Sequence, residues 1–324
     1  MTLDDILAPC LGVPGVSLTR DDISFSLHLD TTDGCGSIRF FILWPGCTLA
    51  FVRVHAPRWP IATPPAPADG DLLLLNACLR GRCELLLNDG RYVYVADGEL
   101  ALSARYVQDS YVYPRRLYEG LEYFLEPARF TAACPWMKVD FACDVAALAA
   151  RFCTRGGLAI AATPAALSAN LGTLWQLSDT PSLPALRLQS LLLFAQLAQS
   201  DFTAQSPRTF YTASQLAIAK RTEALLTADL RQVPPTRVLA ARFGVSETSL
   251  KNYFRGVYGQ SPAAYLRQAR MNRAAELLAQ TRLPVSTIAE SVGYLNQSKF
   301  ASVFKRHFNV TPLEYRRQHH LEQG

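Results

Sequence analysis

The sequence predicts an α+β protein: a β-rich N-terminal part, a helical middle, and an all-α C-terminal third with two helix-turn-helix motifs. Three observations lead there. Short runs rich in Phe, Tyr, Val and Leu, bounded by turn residues, fill about positions 20–127. Ala/Leu-rich stretches at helical spacing take over from about position 140. A long motif then occurs twice in the last hundred residues.

In the first part, "ISFSLHL", "SIRFFILW", "TLAFVRVH" and "CELLLNDGRYVYVADGEL" read as strands. Asn88-Asp89-Gly90 between "CELLL" and "RYVYV" signals a hairpin, because Asn and Gly tolerate the positive φ that a tight turn needs. "APRWPIATPPAPADG" (56–70) has too much proline for a central strand and reads as a loop over the sheet. Many short strands without alternating helices suggest a small barrel or sandwich.

The middle contains "DVAALAARFC", "TPAALSANLGTLWQL" and "SLPALRLQSLLLFAQLAQ", with Asp144, Thr163 and Ser182 as expected caps. The last is apolar around most of its circumference, through Leu186, Leu188, Leu191, Leu192, Leu193 and Leu197. Such a helix either lies buried against the barrel or pairs with a second copy of the chain. The polar, turn-rich stretch 200–212 marks a boundary. The expected organisation is therefore a β-rich domain over 1–135, a helical dimerisation or linker region over 136–206, and a C-terminal domain over 207–324.

Composition narrows the function classes. Hydrophobic residues make up 49% of the 324, enough for a sizeable core. No uninterrupted apolar run reaches the roughly 18 residues of a membrane helix. "MTLDDILAPC" is acidic and lacks the basic start of an export signal, so a cytoplasmic protein without membrane contact is expected. All eight cysteines lie in the first half and none forms a CxxC pair, so free, buried thiols are expected. A thiol or metal sensor is the alternative. His28 and His55 are isolated and read as structural. No catalytic residue, cofactor or metal site is expected. The net charge of +5 hides an asymmetry. Residues 207–324 carry 17 Lys/Arg against 7 Asp/Glu, and the remainder carries 15 against 20. A polyanion partner for the basic third, or merely a solvated basic face, follows.

The repeat decides between these. "LAARFGVSETSLKNYFRGVYGQSPAAYLRQ" (239–268) aligns with "IAESVGYLNQSKFASVFKRHFNVTPLEYRRQ" (288–318), with one extra residue in the second turn. Each copy opens with a short amphipathic helix: Thr236, Leu239, Ala240 and Phe243 in one, Val285, Ile288, Ala289 and Val292 in the other. Each helix stops at a glycine, Gly244 or Gly293, suited to a left-handed turn. A second helix follows, with Ser246 or Asn296 as N-cap. This is the helix-turn-helix pattern, over 236–258 and 285–308.

In the second helices, apolar residues take one side: Leu250, Tyr253, Phe254 and Val257, then Phe300, Val303, Phe304 and Phe308. The other side carries Thr248, Ser249, Lys251, Asn252 and Arg255, then Gln297, Ser298, Lys299, Ser302, Lys305 and Arg306. Small polar and basic groups can donate to base edges and phosphates of double-stranded DNA, where a carboxylate would be repelled. "SPAAYLRQARMNRAAELLAQT" (261–281) predicts a connecting helix of roughly 30 Å, close to one duplex turn of about 34 Å.

These residues resemble the AraC/XylS family of bacterial transcription regulators. The resemblance covers about 214–318 and rests on "LAARFGVSETSLKNYFRGVYGQSPAAYLRQARMNRAAELL" and "STIAESVGYLNQSKFASVFKRHFNVTPLEYRR". "ASQLAIAKRTEALLTADL" followed by "PPT" resembles the subgroup typified by siderophore-responsive regulators. The resemblance implies seven helices, the third and sixth reading DNA. Base-reading positions then fall on Thr248, Lys251 and Asn252, and on Ser298, Lys299 and Ser302; Gln297, on the same outer face, completes the expected base-reading set. Asn252 and Ser302 depart from the long arginine many members carry there. Arg255, Lys305 and Arg306 are the phosphate candidates. "LLLNACLRGRCELLLNDGRYVYVADGEL" is similar to the cupin-like strands of related regulators, which would make the barrel an effector-sensing domain. The implied function is a one-component activator, with a small-molecule effector, RNA polymerase and a second copy of the chain as further partners. The competing reading fuses the DNA-binding domain to an enzymatic or thiol- or metal-sensing module.

Overall fold

In the computed structural model, which describes residues 10, 12–60, 72–87, 89–104, 111–152, 157–200 and 209–320, the N-terminal strands are buried on both faces. Strand β3 (Gly34–Trp44) turns Phe41 and Leu43 to one core and Ile38 and Phe40 to another. Its antiparallel neighbours are β2 (Phe25–Thr31) and β4 (Cys47–His55). The sheet order is β1 (Val16–Arg20), β2, β3, β4, β10 (Tyr118–Leu125), β6 (Leu73–Leu86), β8 (Glu99–Ala104) and β11 (Leu158–Ala162). Strand β6 is long. Its first half pairs with β8, and Arg82–Leu86 pairs instead with β7 (Tyr92–Ala96). The antiparallel sheet therefore curls, and its inner face encloses a core of its own.

Helices α1 (Pro127–Ala133), α2 (Trp136–Phe141), α3 (Val145–Phe152), α4 (Ala165–Leu177) and α5 (Leu183–Gln199) close the other face. Phe130, Leu148, Leu171, Leu186 and Phe194 pack there against Phe41, Phe51 and Tyr123. Polar ties fix them. Tyr123 and Ser190 hydroxyls meet at 2.8 Å, and Arg187 Nε donates to the Leu43 carbonyl at 2.7 Å.

Several expectations change here. β11 lies within a span read as helical. Leu-Ala-Ile-Ala-Ala has helical propensity, but pairing with β8 across Ala159–Leu102 and Ile160–Ala101 overrides it. Helix α1 precedes the predicted helical start at 136, and α2 begins at it. Thr163 does not cap α4, whose N-cap is Pro164, and Ser182 makes no side-chain cap bond, whereas Asp144 accepts the Ala147 N–H at 3.2 Å. Within the Pro-rich stretch, Arg58–Trp59 forms a short strand, β5, on β9 (Tyr111–Val112), and 61–71 lies outside the described residues. The β6–β7 hairpin forms, with Leu86 opposite Tyr92, although Asn88 itself is outside the described residues. The described cysteines are free and all but Cys35 are buried; Cys153 is not among them. On α5, Leu186, Leu193 and Leu197 are buried, while Leu188 and Leu192 are 68% and 48% exposed.

The chain divides into two compact units, Met1–Phe210 and Tyr211–Gly324. The second holds seven helices among its described residues: α6 (Ala213–Ala228), α7 (Thr236–Arg242), α8 (Glu247–Tyr258), α9 (Pro262–Gln280), α10 (Val285–Ser291), α11 (Gln297–Phe308) and α12 (Pro312–His320). Thr212 and Gln215 form a reciprocal capping box at the start of α6. Among the described residues no helix is long and apolar enough to cross a membrane, and no cluster of His, Cys, Asp and Glu could hold a metal.

Candidate nucleic-acid interface

Helices α7 and α8 meet through a turn at Gly244 (φ 67°), and α10 and α11 through a turn at Gly293 (φ 81°). Both positions are in the left-handed region where a side chain costs free energy. At the head of α8, Ser246 Oγ accepts the Ser249 N–H at 3.0 Å; at the head of α11, Asn296 Oδ1 accepts the Lys299 N–H at 2.8 Å. Each cap fills one of the four donors a helix start leaves unpaired. The ends match too. Gly259 (φ 75°) and Asn309 (φ 61°) stop α8 and α11 in left-handed C-caps.

The inner stripes are anchored by equivalent aromatic triads. Phe254 lies 4.5 Å from Tyr258 and 5.4 Å from Tyr265, ring centre to ring centre. Phe304 lies 4.7 Å from Phe308 and 5.5 Å from Tyr315. Leu250, Phe254, Phe300 and Phe304 are fully buried. Such offset and edge-on pairs fix the rotation of each helix about its axis. That rotation decides which residues reach solvent.

Thr248, Lys251, Asn252 and Arg255 on α8 are exposed, as are Gln297, Ser298, Lys299, Ser302, Lys305 and Arg306 on α11. The structure thus brings the ten predicted positions onto two outer faces. Ser249 differs. It is half-buried, and the Ser246 hydroxyl donates to its Oγ at 2.8 Å, because it serves the cap. Tyr253, Val303 and Phe308 are half-buried rather than buried.

Two features escaped sequence reading. Lys251 pairs with Glu247 one turn earlier, Nζ to Oε1 at 2.5 Å. The i,i+4 spacing carried that signal. Leu295, the extra residue of the second turn, is 99% exposed immediately before the α11 cap. Its apolar chemistry on a polar face was the available sign. Arg255, Lys299 and Arg306 pair with no acid among the described residues.

The connector α9 is 19 residues, about 28 Å at 1.5 Å per residue. Ser261 caps it by accepting the Ala264 N–H, and Pro262 occupies the first turn. It is welded to its surroundings: Tyr265 donates to Glu223 Oε1 at 2.9 Å, Arg270 Nε donates to the Leu230 carbonyl at 3.0 Å, and Met271, Ala274 and Leu278 share a core with Ile288, Phe300 and Phe304.

Comparison with known proteins places this unit. A family model described as a helix-turn-helix domain matches residues 239–318. The regulatory protein SoxS of Salmonella typhimurium is 40% identical over 79 residues, which are 24% of this chain and 74% of SoxS. The chain belongs to the AraC family of transcription regulators. A second AraC-family relative is the RCS-specific HTH-type transcriptional activator RclR of Escherichia coli, 44% identical over 78 residues. That match covers 24% of this chain and 28% of RclR. Among solved structures, the C-terminal domain of AraT, a response regulator from Geobacillus stearothermophilus, is 34% identical and covers 31% of this chain and 84% of that one, with a TM-score of 0.30.

Proposed function

We propose that the chain is a sequence-specific DNA-binding transcription regulator in which Tyr211–Gly324 carries two helix-turn-helix motifs. Helices α8 and α11 read base edges in successive major grooves. Thr248, Lys251, Asn252, Gln297, Ser298, Lys299 and Ser302 are the base-reading set. Arg255, Lys305 and Arg306 hold phosphates. The observation that carries this reading is the duplicated pair of exposed polar and basic faces, each locked by the same cap and the same aromatic triad.

The first unit is read as a cupin-like effector domain controlled by a small molecule, with residues 136–206 supplying a homodimer contact through the exposed Leu188 and Leu192 of α5. Regulation is taken to be activation through contact with RNA polymerase. The family relatives support a non-enzymatic role.

The experiment is binding of the purified chain to a duplex enriched from random sequence and to a scrambled duplex, each over a salt series. Tight binding to the first, with a slope of about −0.9 in log K per phosphate contacted, supports the reading. Equal affinity for both duplexes at every salt concentration would defeat it.

A further inference from the structure

The inner face of the curled sheet holds a carboxylate that no cation among the described residues pairs with. A row of cross-strand partners runs Phe40, Ala50, Glu122, Asn76, Ala101 and Ile160, from β3 to β11. Glu122 and Asn76, at its centre, are 4% and 2% exposed. Asn76 Nδ2 donates to Glu122 Oε1 at 3.1 Å, and the Tyr118 hydroxyl donates to Asn76 Oδ1 at 2.8 Å. The Tyr118 oxygen lies 3.5 Å from Glu122 Oε1, too far for a strong bond, and its proton is already committed to Asn76. No Lys, Arg or His among the described residues pairs with Glu122.

Alanines flank the polar pair on both sides of the row. Trp59 is fully buried in the same core, and its Nε1–H has no acceptor among the described residues. Tyr113 stacks on Tyr118 with ring centres 5.0 Å apart in that core. A lone buried carboxylate and an unsatisfied buried N–H are both costly, and neither contributes to packing. A few convergent polar groups within an otherwise apolar, aromatic enclosure are what small-molecule sites present.

We propose that this inner face binds a small aromatic amine, with its ammonium on Glu122, its ring beside Tyr113 and Tyr118, and an acceptor oxygen on Trp59 Nε1. This names the ligand class for the effector domain and rests on that reading. An ammonium gives Glu122 the cation it lacks, and the tyrosine faces attract the same charge. Burial pushes the Glu122 carboxyl up to about 7, so entry of the cation displaces its proton to solvent. Tyr113, Tyr118, Cys78 and Cys83 share the enclosure, and burial holds each of them protonated through neutral pH. Glu122 is then the group of this set that titrates.

The test is calorimetry on the full chain without DNA, using 4-hydroxybenzylamine, 4-hydroxybenzyl alcohol and 4-hydroxybenzoate at pH 6, 7 and 8. The three share a body and differ in charge. The amine binds at least about tenfold tighter than the alcohol or the acid, and its affinity drops about tenfold from pH 8 to pH 6 as Glu122 takes up its proton. Glu122→Gln abolishes both the preference and the pH dependence, and Trp59→Phe weakens the amine while keeping its pH dependence. If Glu122→Gln does not fold, the pH profile of the native chain decides. Equal binding of amine and alcohol, a flat pH profile, or no amine binding at millimolar concentration overturns the proposal. Tight binding of the alcohol or acid instead would leave an effector domain standing with a different ligand class. Amine binding that leaves DNA affinity unchanged upholds the site and removes ligand control.

Discussion

Asn296 Oδ1 accepts the backbone N–H of Lys299 at 2.8 Å, and so fixes the first turn of the helix whose outer face carries Ser298, Lys299 and Ser302. Asn296→Ala is expected to lower stability by about 1 kcal/mol, read as a shift in the denaturant midpoint at constant m-value. Asn296→Ser, which keeps an acceptor, should recover most of the loss. A full loss with serine would mean that the amide acts elsewhere.

Gly244 and Gly293 occupy the same place in the two turns but differ in surroundings. A Cβ on Gly244 meets nothing within 4 Å, whereas one on Gly293 would lie 2.5 Å from the Leu230 carbonyl and 2.6 Å from the Arg270 guanidinium. Gly244→Ala should cost about 1–2 kcal/mol for the left-handed backbone alone. Gly293→Ala should cost more, because Leu230 must also move and its bond to Arg270 Nε is strained. Thermal unfolding of the two variants, compared directly, checks the order.

Helices α8 and α11 were legible because repetition supplies its own control. Gly244 recurs as Gly293 after 49 residues, and Leu250 as Phe300 and Pro262 as Pro312 after 50, the turn being one residue longer, and caps, turns and buried stripes follow from it. What two copies do not share was not legible. Ser249 was placed outward because spacing alone cannot show that its hydroxyl completes a cap. The close approach of the Tyr211 ring to Gly256, 2.0 Å from where a Cβ would stand, joins residues that no local pattern links. In the first unit, β11 was hidden because Ala159 and Ile160 take their conformation from β8, sixty residues earlier. Glu122 sits in a strand buried on both faces, and only the row across six strands shows that it is enclosed with no cation among the described residues.

Lys251 is held by Glu247 at 2.5 Å, half exposed, in position to be released to a base or phosphate. Glu247→Gln should strengthen binding to random DNA by a few-fold at low salt, since it removes a negative charge and frees a lysine, at little cost in stability. The gain should vanish as salt rises. An unchanged affinity for random DNA at low salt would show that Lys251 does not meet the duplex.

Asn252 and Arg306 are assigned different tasks, and their alanine variants separate them. Asn252→Ala should cost about 1–3 kcal/mol on the preferred site and relax discrimination at one base pair. Arg306→Ala should weaken all sequences alike and flatten the salt slope by about one unit. Anisotropy titrations on matched and single-substituted duplexes distinguish the two patterns.

The buried Glu122 carboxyl has a folded pKa above its unfolded value, so the folded state holds its proton more tightly. Its cost is absent while both states are protonated, below about pH 4.5, and grows as pH rises through about 7. Glu122→Gln removes that dependence. Relative to the native chain, the variant should gain on the order of 3 kcal/mol between pH 4.5 and pH 8, as measured by denaturant unfolding at each pH.

If α8 and α11 read DNA as proposed, the rigid α9 between them sets two contacts on one side of the duplex. Hydroxyl-radical footprinting of the full chain on its selected site measures this directly. The expected pattern is two protected major-groove segments about 10–10.5 base pairs apart on one face, with Asn252→Ala opening one and Ser302→Ala the other. A single protected segment, or two segments on opposite faces, would contradict the account.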